Sequence, residues 1–240
     1  MEVMKKIEVF GDSILRGIQV NVQNMRYHIS NNIDLDMLSK KFSLSIVNHS
    51  RFGCTITKGR RNLEKFLSGG GSCDAVVMDF GGNDCDYDWE KISDNPEADH
   101  DPKMPLNAFV DSYLGIIKTL TDQGIKPILT NLPPLDPQRF FDWFCAGFNK
   151  NNIMTWLGDV NAIYRHQEHY SHHVEKIAKE TGSPIVDLRG AFLTHKNIDQ
   201  LLCEDGVHPN TAGQEVITRA FEEFASDYFG MTKKTLHLSS

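Results

Sequence analysis

Nowhere does this chain of 240 residues run to the roughly 20 apolar positions that a bilayer crossing needs, so no membrane span is expected. Basic residues are scarce too. Lys and Arg total 25 against 32 Asp and Glu, a net charge of -7. That balance argues against nucleic acid, which binds clustered cations. Cysteine is sparse and odd in number: Cys54, Cys73, Cys85, Cys145 and Cys203, with no C-x-x-C pair. Reduced thiols are expected rather than a disulfide framework. The first ten residues carry Lys5 and Lys6 and pass straight into a short apolar run. They lack the apolar core and cleavage site of a signal peptide, so a cytoplasmic location is expected. Neither G-x-S-x-G nor a phosphate loop occurs, which leaves the α/β-hydrolase elbow and Walker-type chemistry unsupported. No repeat occurs, and no Pro-, Gly- or Ser-rich linker splits the chain. One domain over 1–240 is expected.

What is present is an alternation. Short apolar runs at 7–10, 44–47, 75–80, 127–130 and 184–188 read as strands. They are mainly apolar rather than alternating, as expected for strands buried on both faces. Between them, helical patterns occupy 35–41, 62–67, 107–122, 159–180 and 212–228. Strands alternating with helices predict an α/β fold with a five-stranded parallel sheet. Two segments break the pattern, an acidic one at 85–105 and an aromatic one at 132–158. Each follows a strand end, where open α/β sheets bind ligands, so both are placed as insertions beside a site.

Three of the strand ends and one late loop carry chemistry-bearing residues. Ser13 follows the first strand in Phe10-Gly11-Asp12-Ser13, where the chain is expected to turn into a helix. It reads either as a helix N-cap or as a nucleophile among free N–H groups. Asp205 and His208 stand three residues apart in Asp205-Gly206-Val207-His208-Pro209. That spacing lets the carboxylate hold the imidazole, or it is a turn with a surface histidine. Asn83, in Gly81-Gly82-Asn83-Asp84, offers an uncharged donor for a developing oxyanion. Gly53, in Arg51-Phe52-Gly53-Cys54, offers a backbone N–H that can approach a ligand closely. For both, turn chemistry is the alternative.

The chain resembles the SGNH hydrolases, also called the GDSL esterase/lipase family. The opening Gly-Asp-Ser is Gly11-Asp12-Ser13, the single glycine is Gly53, Gly-x-Asn-Asp is Gly81 to Asp84, and Asp-x-x-His is Asp205 to His208. The resemblance runs from about residue 7 to 220. It implies a flavodoxin-like three-layer α/β/α sandwich. It implies Ser13 as nucleophile, His208 as general base and Asp205 as its orienting partner. The oxyanion hole would be the N–H groups of Ser13 and Gly53 with the Asn83 side chain. Asp12 and Asp84 would support the site. The expected reaction cleaves a carboxylic ester or thioester through an acyl-enzyme, without metal or organic cofactor. An acetylated carbohydrate or a short-chain lipid ester would be the substrate. The alternatives are an acyl transferase using the same groups, or a binding module that keeps the fold. Ile14 stands where the family motif has leucine, and the aromatic insertion is large.

Other signals are weaker. Asp84, Asp86 and Asp88 alternate like the start of a calcium loop, but Trp89 and Asn95 fall where glycine and glutamate are needed. His166, His169, His172 and His173 crowd one helix without an H-E-x-x-H pattern. Phe140, Phe141, Trp143, Phe144, Phe148 and Trp156 read as core, lid or acyl pocket. Cys54 and Cys85 read as small core or wall residues.

Overall fold

The computed structural model describes residues 5–237. In chain order these are β1 (Lys5–Gly11), β2 (Ile18–Asn21), β3 (Arg26–Ile29), α1 (Leu35–Phe42), β4 (Leu44–Asn48), α2 (Ile56–Ser68), β5 (Ala75–Asp79), α3 (Trp89–Asp94) and α4 (Leu106–Asp122). There follow β6 (Lys126–Thr130), α5 (Pro137–Phe144), α6 (Lys150–Leu157), α7 (Asn161–Thr181), β7 (Ile185–Val186), α8 (Leu188–Leu193) and α9 (Thr211–His237). The main sheet has the order β4-β1-β5-β6-β7, and all of its pairings are parallel. This is the flavodoxin-like order, with its winding reversed between β1 and β5. The crevice at that reversal lies at the carboxyl ends of those two strands.

Side-chain alternation along the strands builds two cores. Phe10, Val76, Met78 and Leu129 face α2, α4 and α7. Ile7, Val9, Ala75, Val77, Ile128 and Val186 face α8 and α9. With both faces covered, most positions are apolar, which is why these strands read as apolar runs; Glu8 and Asp79 are buried charged exceptions.

Local chemistry sets where the elements depart from the sequence expectation. No helix follows β1. Arg16 N–H bonds Asp12 O and Ile18 N–H bonds Ser13 O, making a single turn. Gly17 then takes φ +73°, off the right-handed helical path. The chain enters an unpredicted hairpin instead, β2 paired antiparallel with β3. The expected last strand, 184–188, shrinks to two residues because the Asp187 carboxylate caps Gly190 N–H and starts α8. The third strand ends at Asp79 rather than residue 80, and the helix expected at 62–67 begins at Ile56. The last helix runs to His237 rather than ending at 228.

The two irregular segments are partly helical. They hold α3, α5 and α6, joined in a third cluster of Trp89, Ile92, Leu135, Phe140, Phe141, Cys145, Ile153 and Ile163. Ser93 stitches them together, accepting from Asn149 N–H at 2.8 Å while its carbonyl takes the Asn152 amide at 2.7 Å. All five cysteines are unpaired.

Gly11 closes β1 against β5. A Cβ there would stand 2.8 Å from Asp79 Cβ and 3.0 Å from Ser50 Oγ. Gly11→Ala is therefore expected to lower stability by about 2 kcal/mol, as overpacking does. Urea unfolding would show it as a lower midpoint at unchanged slope.

Candidate active site

The crevice gathers residues from four loops. At the end of β1, Ile18 N–H bonds Ser13 O at 3.0 Å and the Asn48 amide donates to Leu15 O at 2.7 Å, which pins the turn that carries Ser13. Ser13 is itself buried. The loop before α9 is braced by Cys203 N–H to His208 O at 2.7 Å and by an antiparallel bridge between Leu202 and Pro209. Gly206, at φ +71°, lies so close to the first turn of α5 that a Cβ would fall 2.6 Å from Asp136 O. In return, Gly206 O accepts from Asp136 N–H at 2.8 Å. The aromatic insertion thus buttresses the histidine loop from behind.

A continuous line of hydrogen bonds crosses the crevice. His208 Nδ1 lies 2.5 Å from Asp205 Oδ2, and His208 Nε2 lies 2.8 Å from Ser13 Oγ. Asp205 Oδ1 accepts from the N–H groups of Val207 at 3.1 Å and His208 at 3.0 Å. Asp205 is fully buried, and Ser13 and His208 are 6% and 4% exposed. Burial opposes ionisation of Asp205. The His208 bond and charge, with the two N–H groups, outweigh it and hold the carboxyl below its ordinary value. An ionised Asp205 fixes the proton on Nδ1, leaving Nε2 to accept from the Ser13 hydroxyl.

Beside Ser13, Gly53 takes φ +64° with open space around its Cβ position, so its glycine serves backbone conformation rather than clearance. No acceptor among the described residues takes the N–H of Ser13 or of Gly53. Asn83 Nδ2 donates to Asp12 Oδ2 at 2.9 Å and to Cys54 O at 3.4 Å. Asp12 Oδ1 takes Ile14 N–H at 2.8 Å. Burial, then the charge of Asp79, pushes the Asp12 carboxyl well up, against the bond from Ile14.

Asp84 does structural work at a distance. The N-cap residue of α2, Thr55, makes no side-chain cap bond. The Asp84 carboxylate supplies it, accepting Ile56 N–H at 2.9 Å and 3.2 Å. This also places a carboxylate at the positive end of that helix.

The aspartates of the calcium-like run go to separate partners. Asp84 caps α2, Asp86 accepts from Trp89 Nε1 and Lys103 Nζ, and Asp88 caps α3. Among the described residues no cluster could hold a metal ion. His166 lies against Tyr87, whereas the His169 and His173 rings meet each other 4.7 Å apart. The aromatic segment divides. Phe140 and Phe141 are core, Phe144 and Trp156 pack at its edge, Phe148 is exposed, and Trp143 reaches toward the crevice. Cys54 and Cys85 are buried in the sheet core beside Asn83.

Sequence reasoning missed the walls of this crevice. Tyr27, on the unpredicted hairpin, meets the His208 ring edge-on at 5.2 Å. Phe52 stacks on the same imidazole at 6.0 Å and 12°. Trp143 Nε1 donates to the Tyr27 hydroxyl at 2.9 Å. Phe52 adjoins Gly53 and was open to notice. No spacing rule points to Tyr27.

A profile of the GDSL-like lipase/acylhydrolase family matches residues 9–216. The chain belongs to this family. Membership places it among the SGNH-type esterases, and solved structures agree on the fold. A lipase/acylhydrolase from Enterococcus faecalis superposes with a TM-score of 0.64 at 19% identity, covering 93% of this chain and 97% of its own. The acetylxylan esterase of Geobacillus stearothermophilus gives 0.64 at 20% identity, covering 94% and 96%. The acetyl xylan esterase AlAXEase gives 0.59 at 21% identity, covering 91% and 98%. A sequence comparison with curated proteins finds no match.

The carboxylates under this esterase's crevice carry a pH signature. Burial pushes Asp84 up from 3.8 to about 7, against the bonds from Ile56, Gly81 and its own N–H. Between those values the folded protein keeps a proton that the unfolded chain has released. Stability therefore falls as pH rises through that window. Asp84→Asn removes this contribution, so its urea midpoint is expected to fall less between pH 4 and 7 than the native one.

Proposed function

We propose that this family member hydrolyses small carboxylic esters through an acyl-enzyme on Ser13. The observation that carries the reading is the buried line from Asp205 through His208 to Ser13, at 2.5 Å and 2.8 Å. Ser13 Oγ attacks the ester carbonyl carbon as its proton passes to His208 Nε2. The imidazolium is stabilised by Asp205, which stays ionised. Charge developing on the carbonyl oxygen is met by the N–H groups of Ser13 and Gly53 and by Asn83 Nδ2. The unengaged state of the two backbone groups supports this role. For Asn83, the long bond to Cys54 O is the one given up, while the bond to Asp12 keeps the amide aimed. His208 then protonates the leaving alcohol. Water enters, loses a proton to His208, and releases the acid from Ser13.

A short acyl group on a carbohydrate is the substrate class we favour. Two similarly folded proteins are acetylxylan esterases. The half-exposed ring of Phe52 offers a flat apolar face beside the reacting groups, of the kind that stacks on a sugar.

On p-nitrophenyl acetate, Asn83→Ala is expected to lower kcat by about 10²–10³. Ser13→Ala is expected to lower it by roughly 10⁶. Turnover near the native level in both variants would refute the assignment. Transfer of the acyl group to an added sugar, in preference to water, would replace hydrolase by transferase.

A further inference from the structure

Arg189 takes no part in the chemistry proposed above, yet it is a charged side chain only 4% exposed. Taking a guanidinium out of water is costly unless its donors are met. Here four of its five N–H groups are met. Nε donates to Ser171 Oγ at 3.1 Å, Nη1 to the Tyr164 hydroxyl at 3.1 Å and to Glu168 Oε2 at 2.5 Å, and Nη2 to Gln167 Oε1. All four acceptors belong to α7. Arg189 itself lies in the first turn of α8, and its backbone N–H donates to Asn131 Oδ1 at 2.9 Å, just past β6.

Two of those acceptors make a second contact. Ser171 Oγ also accepts Leu132 N–H at 3.1 Å, and Gln167 Nε2 donates to Pro133 O at 2.7 Å. Residues 132–136, between β6 and α5, have no secondary structure of their own. Pro133 and Pro134 have no N–H to give. Side chains held by Arg189 therefore fix the start of this loop.

The loop touches both halves of the crevice. At its start, Leu132 packs on Gly81, where a Cβ would fall 3.1 Å from both Leu132 methyl carbons. Gly81 opens the turn that carries Asn83, which is closed by Cys85 N–H to Gly81 O at 2.9 Å. At its end, Asp136 N–H donates to Gly206 O at 2.8 Å, in the loop that carries His208. One short segment thus stands between the oxyanion side of the site and the histidine side.

We propose that Arg189 is a positioning residue for the active site: by holding Ser171 and Gln167 it sets the 132–136 loop, and through that loop the placement of Asn83 and His208. This rests on the reading of those two residues given above. A lysine would carry the charge, but the planar fork of arginine reaches acceptors on two turns of α7 at once.

The test is hydrogen exchange read by mass spectrometry in Arg189→Met. At labelling times over which β1 and β5 stay protected, exchange in the peptides 81–86 and 203–210 is expected to rise about tenfold. On p-nitrophenyl acetate, kcat is expected to fall about tenfold at unchanged KM, as a small misplacement of reacting groups does. A role confined to joining α7 and α8 would speed exchange in those helices alone. Native exchange in both loops of the folded variant would therefore overturn the proposal. If that variant does not fold, Gln167→Met, which keeps Arg189 but breaks the link to Pro133 O, is used in its place, and native exchange in both loops overturns the proposal there. Because exchange needs no turnover, faster exchange in both loops of a protein whose native form lacks esterase activity would sink the reading of Ser13 and leave the coupling through the 132–136 loop standing.

Discussion

The 2.8 Å contact between Ser13 Oγ and His208 Nε2 joins residues 195 positions apart, and the surrounding fold is built to hold it. Neither residue lies on a strand or a helix. Each is carried by a turn whose position is set by buried backbone bonds. The Ser13 turn is tied by Ile18 N–H to Ser13 O and by the Asn48 amide to Leu15 O. The His208 loop is clamped between its own bridge to Leu202 and the first turn of α5. Placing the proposed nucleophile and base on turns pinned at several points gives loop-like access with scaffold-like precision.

Burying polar groups in this way has a cost, which the site offsets unevenly. Asp205 is fully buried yet stays ionised, because His208 and two N–H groups compensate it. Asp12 and Asp84 also find donors, but in both burial outweighs them and drives the carboxyl toward the neutral form. A floor of carboxyls that resist ionisation suits the proposed reaction, in which negative charge develops on a carbonyl oxygen nearby and ionised acids would repel it. Acid groups of one residue type thus serve different ends according to the donors each one finds.

Much of this was legible in the chain. The five sheet strands carried apolar runs long enough to recognise, and their ends led directly to Gly11–Ser13, Gly53 and Asn83. The Asp205–His208 spacing was informative because a three-residue turn needs little from the rest of the fold to bring the groups together. What stayed hidden depends on long-range partners. The hairpin has two four-residue strands, and β3 is exposed apart from Tyr27, so no alternation signals it. Asp84 caps a helix that begins 28 residues before it, a link invisible to local capping rules. The helix expected after β1 fails at Gly17, whose left-handed backbone breaks the path. The aromatic segment could not be assigned to core or wall from sequence. Phe140 and Trp143 differ in role only through which side of α5 meets the crevice.

The central claim is that Ser13 is made nucleophilic by His208. Treating the native protein with a fluorophosphonate and mapping the adduct by mass spectrometry tests it most directly. One covalent adduct is predicted, on the peptide containing Ser13, and it should be lost in His208→Gln. An unmodified Ser13, or an adduct that forms as readily without His208, would contradict the account.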